Sequence, residues 1–432
     1  MSGDASTAAP GAPSARSSSP PVVLGMLLLV YVFNFVDRQI LSILAAPIQR
    51  DLGLSDGEMG MLGGIAFALL YSTLAVPLGA LADRTSRSRV ITISLVLWSG
   101  FTAMCGLAQG FWHIFLARLG VGIGEAGGVA PSYALIGEYF PSERRASALS
   151  IYSLGIPLGS AAGVLVGGYI AATVDWRLAF FAVGTAGLLV APLFRLLVRD
   201  RRAGGAGPQT APATVPPLRE TAMVLARKPA FWLMSFAAAS GSMIGYGIAF
   251  WLPSLLQRSF ALSLIGASQF YGTLLLAGGV AGVLAGGWLG DRLGGRDRAF
   301  YAWLPALAYL LAAPLFALGI GSSSTALAFI LLLVPQALSY VWLGPVLSAI
   351  QHLVVPGARS TAAALFLLIN NLIGLGGGIY ALGALSDFLT PIHGEEALRY
   401  STLYALALYV LAALLMALAG PSLRRNWVAE ER

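Results

Sequence analysis

Four charged residues interrupt runs of apolar sequence where charge is costly. They are Asp37 and Arg38 in VYVFNFVDRQILSIL, and Arg118 and Glu125 in IFLARLGVGIGEAGG. A charge inside a bilayer costs about 2.5–3.5 kcal/mol on insertion scales, and such residues default to functional roles. Asp37 and Arg38 are adjacent, so on a helix they point about 100° apart and cannot face each other. Each needs a partner elsewhere. Arg118 and Glu125 are two helical turns apart on one face, with Gly120, Gly122 and Gly124 thinning the helix between them. Two carboxylates and two guanidinium groups can exchange protons and bind anions. Desolvation favours a neutral carboxyl, whereas a nearby arginine favours the charged one. Moving the arginine away would then drive protonation, which is a physical route to proton coupling. The alternative is static salt bridges holding the two elements together, although buried pairs are weak stabilisers.

The rest of the composition says what kind of chain positions these groups. It has 432 residues, of which 57% are apolar and only 10% charged, with a mean hydropathy of +0.78. An ordinary soluble domain is about 25% charged. A soluble enzyme, a disordered chain and a nucleic-acid binder are poor readings, and the net charge of +7 falls in short clusters between apolar runs. Cys105 is the only cysteine, and His113, His352 and His393 lie far apart, so no disulfide, metal or cofactor site is expected. No nucleophile–base pair or nucleotide loop supports an enzyme. The few buried charges do not form the rings expected of a channel.

A membrane-crossing helix needs about 20 mostly apolar residues. Twelve such runs are expected, near 22–48, 58–82, 89–109, 111–137, 146–172, 177–197, 230–257, 266–290, 299–320, 324–352, 360–386 and 399–420. They are numbered spans one to twelve. Asp37 and Arg38 fall in span one, Arg118 and Glu125 in span four, and both carboxylates near a span centre. The interiors of spans seven to twelve read as free of Asp, Glu, Lys and Arg. The chain divides into a disordered tail (1–21), a six-helix bundle (22–198), a linker with an amphipathic stretch (199–229), a second bundle (230–420) and a C-terminal tail (421–432). Of the 26 Lys and Arg, only Arg50, Arg177, Arg258 and Arg399 fall in loops opposite the termini, while Arg38 and Arg118 lie inside spans. This bias puts the side of the termini, here side A, in the cytoplasm, and the opposite side B outside. Arg-rich, Ala- and Gly-rich composition suggests a bacterial inner-membrane protein.

The two halves repeat. QRDLGLS at Gln49–Ser55 recurs as QRSFALS at Gln257–Ser263, and GALADR at Gly79–Arg84 as GWLGDR at Gly287–Arg292. PSERRASAL (Pro141–Leu149) resembles PGARSTAAAL (Pro356–Leu365), and Gly159, Gly163 and Gly168 fall on Gly374, Gly378 and Gly383. Six spans per repeat make the halves parallel, related by an axis along the membrane normal, as in major facilitator transporters.

The loop GALADRTSRSR (Gly79–Arg89) resembles the cytoplasmic signature of that superfamily. The resemblance implies a conformational latch of Gly79, Asp83, Arg84, Arg87 and Glu138, with Asp291 and Arg292 in the second half. Asp83 would accept from the N-terminus of span eleven near Arg359, and Arg84 and Arg87 would pair with Glu138. The alternative is that these arginines only set topology. Gly159-x-x-x-Gly163-x-x-x-Gly167-Gly168 in span five resembles the glycine motif of superfamily antiporters, with Val164 where a proline is expected. The glycines permit close helix approach in either case.

The first 180 residues go further. NFVDRQILSILAAPIQRDLGLS (Asn34–Ser55) and RLGVGIGEAGGVAPS (Arg118–Ser132) resemble the spinster-like family, associated with export of sphingosine-1-phosphate and related lysolipids. That resemblance implies Asp37 and Glu125 as a protonatable pair, with Arg38 and Arg118 as their partners or as binders of a substrate head group. An uncharged, aromatic second half suits the tail of an amphipath, with Tyr246, Trp251, Tyr340, Trp342, Asn370 and Asn371 as cavity candidates. Packing or interfacial anchoring is the other reading of those aromatics. Gly374–Gly378 beside Asn370 and Asn371 suggests a flexible or closely approached stretch. The expected function is a proton-coupled secondary transporter exporting an anionic lipid, with small organic anions or drugs as the alternative substrates. Its partners would be that substrate, protons and membrane lipid, without nucleic acid, and the working unit a monomer.

Overall fold

The computed structural model describes residues 18–200 and 217–428. The expected tail at 1–17, most of the linker (201–216) and the last four residues lie outside them. Every regular element among the described residues is helical.

The first half comprises span one (Pro20–Ile43, continued by Ala45–Leu52), span two (Asp56–Gly63 and Ile65–Arg84) and span three (Arg87–Cys105). Span four (Phe111–Ala126, Val129–Tyr139), span five (Ser142–Ser153, Gly155–Thr173) and span six (Trp176–Leu197) follow. A short helix at Leu218–Ala226 ends the linker. The second half comprises span seven (Pro229–Ser259), span eight (Leu264–Leu274 to Val280–Gly294), span nine (Phe300–Gly321) and span ten (Thr325–Leu338, Leu343–Gln351). Span eleven runs from Arg359 to His393, and span twelve from Ala397 to Asn426 after a single 3₁₀ turn.

Local chemistry sets these ends. Pro20 and Pro229 open their helices, where a missing N–H costs nothing. Ser55 caps span two through a reciprocal box with Glu58: the Glu58 N–H donates to Ser55 Oγ, and the Ser55 N–H to Glu58 Oε2. Gly53, with φ 66°, ends the extension of span one in the left-handed region.

Several boundaries differ from the sequence reading. Span one begins at Pro20, and span twelve continues through Pro421 to Asn426, so the expected tails are partly helical. Span eleven extends to His393 and therefore contains Asp387, while Arg258 sits in the last turn of span seven. The helices of the second half thus carry charges toward their ends, Arg258, Asp387 and Arg399 at side B and Asp291, Arg292, Arg359, Arg424 and Arg425 at side A, because hydrogen-bonded turns continue where the apolar runs stop.

Spans three, six, seven and nine are continuous α-helices, whereas spans one, two, four, five, eight, ten, eleven and twelve are interrupted between their ends. Spans eight and eleven contain π-helical segments at Leu275–Gly279 and Asn370–Gly377. Such insertions recur at functional sites because they shift the register of one helix face against another. Large apolar side chains such as Trp112, Leu196 and Phe388 are 68%, 72% and 74% exposed, as a lipid-facing surface requires.

Small residues bring the helices together. A methyl on Gly159 would lie 2.4 Å from Val32 O, and one on Gly163 2.8 Å from Val36 O, so the glycine run of span five packs backbone-to-backbone on span one. A methyl on Gly378 would lie 2.2 Å from Met243 O, so the glycines of span eleven serve close approach to span seven. Gly122 and Gly124 in span four do the same against spans two and three: a methyl on Gly124 would lie 2.5 Å from Trp98 N. That neighbour is backbone and cannot swing away. Gly124→Ala is expected to destabilise the protein by about 1–3 kcal/mol through overpacking, measured as a lower melting temperature in detergent.

Candidate functional site

Spans one and four meet, and their charges meet with them. The Arg38 Nε donates to Glu125 Oε2 at 2.8 Å. This pair forms across two spans, 87 residues apart in sequence. Glu125 is 0% exposed, Asp37 1% and Arg118 2%. Asp37 lies among Arg118, Glu125 and Thr102 of span three, and Glu125 lies beside Asn34. Within this cluster, Asn34 Oδ1, Asp37 Oδ1, Thr102 Oγ1, Arg118 Nε and Glu125 Oε1 are buried without a hydrogen-bond partner. Buried polar atoms are normally satisfied, so buried charges this sparsely bonded to protein make the cluster a candidate site.

Aromatic rings complete the surroundings. The Arg38 guanidinium carbon lies 5.1, 4.8 and 4.5 Å from the ring centres of Phe35, Phe67 and Tyr71. That of Arg118 lies 5.1 Å from the centre of the same Phe67 ring. Phe67 therefore serves both cations. Ring faces attract desolvated guanidinium groups and do not compete for their N–H donors, which leaves those donors for an anion.

Arg38 and Arg118 line a cavity of about 1000 Å³, including its opening, between the two bundles. Phe35, Gln39, Phe67 and Ser160 share the first-half wall. The second half contributes Ser242, Tyr246, Phe250, Gln336, Ser339, Tyr340 and Trp342. One wall is therefore cationic, and the other is aromatic and neutral polar. A shape with one charged wall and one apolar wall can hold an anion that carries an apolar portion.

Asp37 and Glu125 do not reach the cavity wall, whereas Arg38 and Arg118 do. The reason is the angle between neighbours on a helix, since with Arg38 turned to the cavity Asp37 must point into the bundle. Trp251, Asn370 and Asn371 are also off the wall. The Trp251 indole is fully buried and donates to Ile379 O at 2.9 Å, while Asn370 Oδ1 accepts from Ser242 Oγ at 2.9 Å. Tyr246, Tyr340 and Trp342 do line it. Phe67, Tyr71, Thr102, Gln39 and Gln336 carried no sequence signal, because nothing in an aromatic or an amide in a span marks which way it faces.

At side A, Arg87 pairs with Glu138, linking spans three and four. Arg84 is exposed and joins no ion pair among the described residues. The Asp83 side chain lies outside the described structure. Gly79 has room for a methyl, with Ala130 Cβ at 3.5 Å as its contact. Asp291 and Arg292 are exposed, and Arg292 lies over the Trp288 ring at 5.2 Å rather than in an ion pair.

Comparison with known proteins agrees with this architecture. Residues 27–378 match the model of the Major Facilitator Superfamily. The chain is 35% identical to a protein of Mycolicibacterium smegmatis described as an MFS-type efflux pump, over 95% of this chain and 94% of that one. It is 26% identical to human Protein spinster homolog 1, over 85% of this chain and 73% of that one. Among solved structures, a bacterial homologue of the human lysosomal transporter Spinster, in an inward-facing and unoccupied conformation, superposes with a TM-score of 0.83 at 28% identity, covering 95% of this chain and 99% of that one. A D-xylose–proton symporter shares the fold, with a TM-score of 0.71 at 14% identity, over 96% of this chain and 99% of that one.

Removing one partner of a buried pair leaves the other charge uncompensated, at a cost of about 3–5 kcal/mol. Arg38→Met is therefore expected to lower thermal stability in detergent by that order. Adding Glu125→Gln should restore most of the loss, and the deficit of the single variant should narrow at acidic pH, where the carboxyl is neutral.

Proposed function

The chain belongs to the major facilitator superfamily and is related to the spinster proteins, and on that premise we propose that it is a proton-coupled secondary transporter exporting an amphipathic anionic lipid, of the lysophospholipid or sphingosine-1-phosphate type. The observation that carries this reading is the cavity with two guanidinium groups on one wall, aromatic and neutral polar side chains on the other, and the Asp37 and Glu125 carboxylates buried off the wall. An anionic head group binds at Arg38 and Arg118, and the apolar tail lies along Tyr246, Phe250 and Trp342. Binding of the anionic head group at the cavity wall draws Arg38 away from Glu125 within the first bundle. When the arginine departs, the buried carboxylate takes up a proton, and when it returns the proton leaves. Asp37 beside Arg118 is the second member of the pair.

The outward direction draws support from the relative described as an efflux pump. The termini lie in the cytoplasm by the arginine bias, and the membrane is the bacterial inner membrane. The whole cavity is formed by one chain, which suits a monomer. Proposed roles for Asp83, Arg87 and Glu138 as a side-A latch follow from their position at the ends of spans two to four.

Purified protein in liposomes with an imposed pH gradient tests the reading. Transport of a lysophospholipid is expected to depend on the gradient. Glu125→Gln should abolish that dependence while leaving folded protein, and a variant that keeps full pH dependence would remove Glu125 from the coupling role. Displacement of bound lysophospholipid by small organic anions or drugs, at comparable concentrations, would favour the alternative substrate class.

A further inference from the structure

A second charged cluster lies far from the cavity arginines, at side B. The Asp56 carboxylate, in the first turn of span two, receives Arg258 of span seven in two-pronged fashion: Nη1 to Oδ2 at 2.8 Å and Nη2 to Oδ1 at 2.7 Å. Gln49 Nε2 and Ser386 Oγ of span eleven donate to the same carboxylate at 2.8 and 2.6 Å. Arg258 Nη2 also donates to Gln49 Oε1 at 3.0 Å. Asp387 completes the set from the opposite bundle: its two oxygens accept the backbone N–H groups of Asp56 and Gly57, at 3.0 and 2.7 Å. Gln49, Asp56 and Gly57 belong to the first half, and Arg258, Ser386 and Asp387 to the second.

We infer that this cluster is a releasable clamp that holds the two bundles shut at side B, with Asp387 as a cross-bundle cap on span two. Three physical features argue for a working clamp rather than fixed packing. Every interaction in it crosses the line between the halves, save the bond between Gln49 and Asp56. A carboxylate is favoured at a helix N-terminus by the N–H groups and the dipole there. Releasing Asp387 does not unravel the helix, because Ser55 and Glu58 cap it independently within the first half. The Arg258 side chain is 28% exposed, so water can replace its partners when the bundles part.

The backbone is built for the same contact. A methyl on Gly57 would lie 2.7 Å from Asp387 Oδ2, one on Gly60 2.8 Å from Ile379 O, and one on Gly383 2.2 Å from Asp56 O. A methyl at Gly57 would push the Asp387 carboxylate off the N–H groups it caps, whereas one at Gly60 or Gly383 meets backbone and would hold spans two and eleven apart.

The inference rests on two bundles that rock, not on the nature of the substrate or on protons, and its test needs neither. Spin labels at Arg50→Cys and Glu395→Cys, in a Cys105→Ser background, report the side-B distance between the bundles by pulsed electron resonance. The parent should show a dominant short distance. Asp387→Ala, Arg258→Gln and Gly57→Ala should each raise the ratio of long to short distances by about tenfold or more, the change that about 1.4 kcal/mol produces. Asp387→Asn, which keeps one acceptor, should give a smaller rise. Measurement on the monodisperse fraction keeps misfolded protein out of the result, and Gly57→Ala tests the clamp with all its charges present. Distance distributions in Asp387→Ala and Gly57→Ala that coincide with the parent's would overturn the inference.

Discussion

A bilayer interior offers no water to a lone charge, and the first bundle is organised around that constraint. Arg38 can sit beside the cavity because Glu125 neutralises it from behind and three aromatic rings surround it. Glu125 can be fully buried because Arg38 reaches it from a different span. Neither could be kept alone at that depth. The glycines of span four seat it against spans two and three, those of span five seat it against span one, and Phe67 lies beside both like charges. Packing, charge and cavity shape are thus one arrangement.

The two charged clusters differ in a way that fits different work. The cluster of spans one and four keeps its carboxylates buried while its arginines face the cavity, so its charge balance is sensitive to small movements of an arginine. The side-B cluster is better satisfied: its Asp56 carboxylate accepts from Arg258, Gln49 and Ser386, and it borders solvent. The first is suited to protonation and ligand binding. The second is suited to reversible closure. Between them lie the broken helices, with π segments in spans eight and eleven on the side that faces the first bundle, which can adjust register without unfolding.

Much of the architecture was legible before any coordinates. Span count and the two similar halves follow from apolar run length and from motifs recurring at near-constant offsets. That Asp37, Arg118 and Glu125 are buried, with Arg38 paired to one of them, is legible because charge in an apolar run is so costly. Ends were less legible: hydropathy stopped at 386 in span eleven, yet the helix runs to His393 and carries Asp387 into the side-B cluster. Asp56, Arg258 and Asp387 looked like loop charges, since nothing in a single loop reveals that another loop lies opposite.

The sequence by itself determined which residues must be buried together, because the bilayer penalises each lone charge whatever its neighbours. It also determined that two similar bundles form, because the repeat is written in residue order. Only the tertiary structure decided which partner each charge takes, that Arg38 and Arg118 rather than the carboxylates face the cavity, and that Trp251 and Asn370 pack instead of lining it. Those outcomes depend on helix rotation and on contacts between residues hundreds of positions apart, and one-dimensional spacing specifies a face of a helix but not what that face will meet.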